Sequence, residues 1–201
     1  NWGDFGGGLY NNASNPTLSD VAFTQNTGLY GAGIYNEEAS DPTLTAVTFT
    51  NNQATWDGGG LYNDASSPTL IGVTFRDNGV YNGNGGGLHN INGSSPSLTN
   101  VVFTGNSANL SGGGLYNMLN SSPILTNTTF SGNTAVNYDG GGLYNGDNSN
   151  LTIHNSVIWG NSAGRNGPQV FNEANSAATL AYSDVQGSGG SGSGWDTALG
   201  V

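Results

Sequence analysis

One six-residue phrase, Gly-Gly-Gly-Leu-Tyr-Asn, recurs at Gly6–Asn11, Gly58–Asn63, Gly112–Asn117 and Gly140–Asn145. The variants Gly31-Ala-Gly-Ile-Tyr-Asn36 and Gly85-Gly-Gly-Leu-His-Asn90 fill the gaps, and a worn copy ends in Gln169-Val-Phe-Asn172. Its aromatic or histidine position falls at 10, 35, 62, 89, 116, 144 and 171, so every step lies between 25 and 28 residues. A near-constant period of that length means one supersecondary unit stacked on copies of itself.

Two further columns run in phase. A Pro-Thr-Leu-like column passes through Leu18, Leu44, Leu70, Leu98 and Leu125, continued by Ile153 and Leu180. A Phe-x-x-Asn column follows at Phe23/Asn26, Phe49/Asn52, Phe75/Asn78, Phe103/Asn106 and Phe130/Asn133, ending at Ile158/Asn161. Each repeat thus holds three apolar pieces too short for helices and lacking the i, i+3, i+4, i+7 pattern. Val47-Thr48-Phe49-Thr50 alternates as a strand with one buried face does. The pattern predicts an all-β, right-handed parallel β-helix with three short strands per coil and about seven coils of ~27 residues. Residues 1–186 are the repeats; residues 187–201 are a Gly/Ser-rich tail and C-terminal segment.

The columns take physical roles from this geometry. Leucines and phenylalanines point inward, and the glycine triplet makes room where the chain turns. Asparagine at a coil corner hydrogen-bonds its own turn and the asparagine stacked above it. Two structural ladders are predicted: Asn11, Asn36, Asn63, Asn90, Asn117 and Asn145, and Asn26, Asn52, Asn78, Asn106, Asn133 and Asn161.

Charge excludes several partners. Thirteen acids face two arginines and no lysine, for a net charge of −11. Nucleic acids and anionic membranes call for a basic surface, so neither is an expected partner. Charged residues are 7% of the chain against about 25% in an average domain, and the regular repeat argues against disorder. Cysteine is absent, which removes disulfides and thiolate metal sites. No signal peptide, apolar span or initiator Met is present, so the expectation is a mature or excised piece of a longer chain without membrane insertion.

Phe103-Thr-Gly-Asn-Ser-Ala108 leading to Gly112–Asn117, and Phe130-Ser-Gly-Asn-Thr-Ala135 leading to Gly140–Asn145, resemble the repeat of polymorphic outer-membrane proteins. The resemblance extends over about residues 6–186. Tyr182–Gln186 through Trp195–Gly200 resembles the closing segment of choice-of-anchor secreted repeat proteins, here without the sorting region. It implies an extracellular or cell-surface bacterial rod, usually non-enzymatic and most often adhesive.

Catalysis and cofactors are not expected. A calcium-dependent lyase needs clustered carboxylates and a basic residue, and only Arg76 and Arg165 are on offer. An inverting hydrolase needs paired carboxylates roughly 6.5–9.5 Å apart. Asp57 and Asp139 share a column but are separated by Asn84 and Ser111. His89 substitutes for tyrosine in its column, and no repeated acidic motif suggests a metal.

Two outward stripes remain. Tyr10, Tyr35, Tyr62, His89, Tyr116 and Tyr144 follow inward aliphatics and by alternation point out, as a glycan-contact stripe or as mutual shielding. Thr24, Thr48, Thr50, Thr74, Thr104, Thr129 and Ser131 resemble an ice-binding face that Arg76 interrupts. Uncapped solenoid edges add end-to-end self-association into filaments as the competitor to adhesion.

Overall fold

The computed structural model describes residues 1–187. The remainder of the Gly/Ser tail and the Trp195–Gly200 segment lie outside the described residues. The first coil consists of β1 (Trp2–Phe5), β2 (Leu9–Asn12), β3 (Thr17–Ser19) and β4 (Ala22–Thr24). Each strand pairs in parallel with its equivalent one coil on, as Leu9 with Ile34, Leu18 with Leu44 and Phe23 with Phe49. The last described coil is Ser162–Ala163, Val170–Asn172, Ala177–Ala181 and Asp184–Val185. The result is a β-solenoid of four parallel seven-stranded sheets.

Four strands per coil, not three, is the main departure from the sequence expectation. The additional sheet is the first, headed by β1. Its inward residues are small, namely Ala54, Val80, Ala108 and Ala135, all buried. From Gly79–Val80 onward its strands are only two residues long. One small apolar residue between polar neighbours looks like part of a turn, so hydrophobic pattern alone does not announce it.

The interior is assembled by column. Leu44, Leu70, Leu98 and Leu125 from the third sheet are fully buried, as are Ile34, Leu61, Leu88, Leu115 and Leu143 from the second. Phenylalanines of the fourth sheet stack face to face. Centroid separations fall from 5.2 Å for Phe23–Phe49 to 4.5 Å for Phe103–Phe130, with ring planes within 12°. Strand spacing in a sheet is about 4.7–4.9 Å, so register alone brings these rings to contact.

This stack explains the glycine triplet. The first glycine holds a left-handed conformation, with φ from 56° to 71° at Gly6, Gly31, Gly58, Gly85, Gly112 and Gly140. The third lies against the phenylalanine ring from the opposite wall. A Cβ at Gly60 would sit 2.8 Å from Phe75 Cδ1, and one at Gly114 2.9 Å from Phe130 Cδ1. The first and third glycines therefore have separate steric reasons, while the middle position accepts a methyl in Ala32.

Tight corners between the third and fourth sheets also need φ > 0. Gly72 supplies it without strain, but Ala46 sits at φ 52° in the equivalent place. Ala46 is exposed, and a left-handed L-residue costs roughly 1–2 kcal/mol that glycine avoids. Ala46→Gly is therefore expected to stabilise by about 1 kcal/mol after glycine's own entropy is subtracted. Chemical denaturation at constant m-value checks this; an unchanged or lower midpoint contradicts it.

Candidate functional site

Buried asparagines and serines in this solenoid form hydrogen-bonded ladders along its corners. In the Phe-x-x-Asn ladder each carboxamide after Asn26 makes four bonds. Asn106 Nδ2 donates to Phe75 O at 3.0 Å and to Asn133 Oδ1 at 2.9 Å. Its Oδ1 accepts from the backbone N–H and the Nδ2 of Asn78, at 3.1 and 3.0 Å. The same pattern runs from Asn26 through Asn52, Asn78 and Asn133 to Asn161. Gln169 ends it, accepting from Asn161 Nδ2 at 2.7 Å.

The second ladder is simpler. Asn11, Asn36, Asn63, Asn90 and Asn117 pass one Nδ2–H···Oδ1 bond along at 2.7–2.9 Å. It breaks at the next step, where Asn117 Nδ2 and Asn145 Oδ1 have no partner. Asn145 instead donates to Ser149 O, Asn172 Oδ1 and Ala177 O.

A third ladder was not read from the sequence. Ser40, Ser66, Ser94, Ser121 and Ser149 are fully or almost fully buried. Ser40 N–H donates to Ser66 Oγ at 3.1 Å, Ser66 N–H to Ser94 Oγ at 3.0 Å and Ser121 N–H to Ser149 Oγ at 3.0 Å. The signal was present as Ser-x-Pro, with a serine two residues before Pro42, Pro68, Pro96 and Pro123.

The carboxylates considered for catalysis belong to a fourth row. Asp57 Oδ1 accepts from Asn84 N–H at 2.8 Å, Asn84 Oδ1 from Ser111 N–H at 3.1 Å, and Asp139 Oδ1 from Asn166 N–H at 2.8 Å. They terminate corner amides rather than facing each other. Arg165 lies over the Tyr138 ring, 3.9 Å from its centroid. Arg76 is exposed on the fourth sheet in register with Thr50 and Thr104. The threonine stripe around it is broken further by Val102, Val157 and Trp159.

The tyrosine stripe differs from expectation in exposure. Its rings are on the outer side of the second sheet, apart from the leucine core, yet only Tyr10 is open. Tyr35, Tyr62, Tyr116 and Tyr144 are between 5% and 8% exposed, and His89 3%. The rings cover one another, with Tyr35–Tyr62 at 4.9 Å, Tyr62–His89 at 4.7 Å and Tyr116–Tyr144 at 4.7 Å. Flanking residues close the sides: Tyr30 meets Tyr62 edge-on at 5.8 Å, and the Tyr144 hydroxyl donates to Glu173. Strand alternation gives the side of a sheet, but not the walls beside it. The row presents ring edges, not the open faces on which a sugar stacks.

Burial pushes the Tyr35, Tyr62, Tyr116 and Tyr144 phenols well above their ordinary value near 10. Their folded state holds its protons, so stability is retained below pH 10 and lost as pH rises past it. On alkaline titration these four are expected to contribute phenolate absorbance only together with loss of far-ultraviolet circular dichroism. Ionisation of all nine tyrosines in a still-folded chain would contradict this.

His89 is the most confined titratable group. Burial lowers its pKa, against the opposing pull of the Asp57 carboxylate 3.6 Å from Nδ1. Neither ring nitrogen has a hydrogen-bond partner among the described residues. The folded state keeps the imidazole neutral while the unfolded chain protonates near pH 6.5. The stability it permits is full above that pH and declines below it. His89→Tyr, which restores the column, is expected to raise the denaturation midpoint at pH 5.5 more than at pH 8. An equal change at both pH values would refute the assignment.

No curated protein and no solved structure matches the chain. The Chlamydia polymorphic membrane protein repeat matches at residues 46–64, 100–118 and 127–146. Each matched stretch starts at a left-handed corner, Ala46, Asn100 or Asn127, and crosses the phenylalanine strand, the asparagine corner and the glycine triplet. It ends just past the Leu-Tyr-Asn strand. The family likeness therefore falls on the residues that close the three matched coils, and it fits display at a bacterial outer membrane or surface. The chain is a parallel β-solenoid, and three of its stretches match the polymorphic membrane protein repeat.

Proposed function

We propose that this solenoid is a non-enzymatic structural module of a bacterial surface protein, working as a stiff adhesive rod. The observation that carries the reading is the continuous stack of seven coils. At one strand spacing per coil it reaches roughly 30–35 Å. Carboxamides, serines and the Asp57 and Asp139 carboxylates are committed to holding corners, which leaves rigidity and surface as what the fold offers. Beads coated with the folded chain are expected to adhere to cells, while heat-unfolded chain on the same beads does not. Equal retention of both would reject an adhesive role, and failure of antibodies to label intact producing cells would reject surface display.

End-to-end association of copies is a second reading, favoured by the direction of the asparagine ladders. The carboxamide-to-carboxamide bonds of the Phe-x-x-Asn ladder all run one way, from the Nδ2 of one asparagine to the Oδ1 of the next coil's. One coil can therefore continue onto another copy head to tail but not head to head, and an open contact of that kind builds filaments. Negative-stain electron microscopy over a concentration series distinguishes fibres from short monomeric rods.

A further inference from the structure

The outward row of the first sheet reads Thr27, Gln53, Gly79, Ser107, Thr134 and Ser162. Gly79 alone lacks a side chain. A hollow of about 230 Å³ opens there, lined by Gln53, Asp77, Tyr81, Gly105 and Ser107 around Gly79. Further along the same row the hydroxyls pair across coils, as Thr134 with Ser162 at 2.9 Å. Around the hollow, the side chains of Gln53, Asp77, Tyr81 and Ser107 make no hydrogen bond to one another or to any other described residue. The place where the row loses a side chain is thus also where an amide, a carboxylate and two hydroxyls stand unpartnered.

Tyr81 differs from the tyrosines of the second sheet. It is 65% exposed. The bonds Tyr81 N–H to Ala54 O and Asn109 N–H to Val80 O put it between Thr55 and Asn109 in its own row. Neither neighbour carries a ring, so no aromatic stack covers its faces. An open phenol face beside a small set of polar groups suits a pyranose, whose CH face stacks while its hydroxyls bond. The hollow is below the roughly 300 Å³ of a drug-sized pocket, which limits it to one ring of a longer chain. Asp77 at the rim and the net charge of −11 disfavour uronates and sialylated sugars.

We propose that the hollow over Gly79 binds one neutral hexopyranose unit, stacked on Tyr81 and hydrogen-bonded by Gln53, Asp77 and Ser107. This site is distinct from the tyrosine stack of the second sheet and does not depend on the mechanical role of the rod.

Saturation-transfer NMR on the whole chain with the methyl glycosides of glucose, galactose and mannose tests it, with glucuronate as the anionic comparison. Transfer to at least one neutral glycoside is expected, with little to glucuronate. Tyr81→Ala and Gly79→Ser should each reduce that transfer at least tenfold, with far-ultraviolet circular dichroism unchanged. Gly79 is outside the left-handed region, and a Cβ there would clash with Gln53 Oε1, the flexible end of a side chain, so serine pushes the Gln53 carboxamide out of place without breaking the coil. Absence of transfer to all three glycosides, equal transfer to glucuronate, or full retention in both variants would overturn the proposal.

Discussion

Asn106→Leu is expected to destabilise the protein by about 4 kcal/mol, although leucine is more apolar and nearly the same size. Asn106 occupies the middle of the Phe-x-x-Asn ladder and is fully buried. Removing its carboxamide leaves the Asn78 backbone N–H without an acceptor and takes away the donor to Phe75 O. Each buried group left unsatisfied costs about 1–3 kcal/mol, more than the transfer gain from a leucine side chain returns. In a stack where coils touch only their neighbours, a weak central interface also separates the two halves. Denaturant unfolding should therefore show a lower midpoint and a broader transition. The equivalent change at Asn26, which accepts no side-chain bond from a preceding coil among the described residues, should cost less than half as much. Equal losses at the two positions would mean that the ladder contributes nothing beyond local turn geometry.

Phe103→Ala is the second large effect, at about 4–5 kcal/mol. The ring is sandwiched between Phe75 at 4.7 Å and Phe130 at 4.5 Å, and it fills the space that the third glycine of a triplet, Gly87, leaves open. Truncation removes two stacked contacts and opens a cavity that inextensible strands on either side cannot close. Phe→Ala changes in such sites cost about 3–5 kcal/mol, and each aromatic pair adds roughly 0.5–1.5 kcal/mol beyond area. Phe23 has one stacked neighbour and is 9% exposed, so Phe23→Ala should cost visibly less. Guanidinium denaturation of both variants reads the difference; if the terminal change is as costly as the central one, the stack is not the source of the stability.

What was legible in the sequence follows from what repeats with bulk. The leucine, phenylalanine and asparagine columns are large or chemically distinctive, so their phase gives coil number, direction and core. Ala54, Ala108 and Ala135 do the same job in the first sheet with one methyl each, and a methyl between polar residues carries little signal. The serine ladder was equally regular, but serine is common enough in this chain to pass as loop. The stripe at Tyr35, Tyr62 and Tyr116 was placed on the correct side of its sheet. Its burial depends on Tyr30, Asp57 and neighbouring corners rising beside the strand, a tertiary arrangement that period-two alternation does not encode. The candidate hollow lay beyond pattern reading for the opposite reason: it arises where Gly79 departs from the repeat.

In-register pairing has a consequence for how such a chain changes length. Phe75 pairs with Phe103, Leu88 with Leu115 and Asn90 with Asn117, so one coil can be excised or copied between equivalent points and these core and corner columns close on a residue of their own kind. Recombination between repeats would then shorten or extend the reach of the protein in increments of one coil while leaving each remaining junction chemically familiar. Length becomes a heritable dial, adjustable without inventing a new contact.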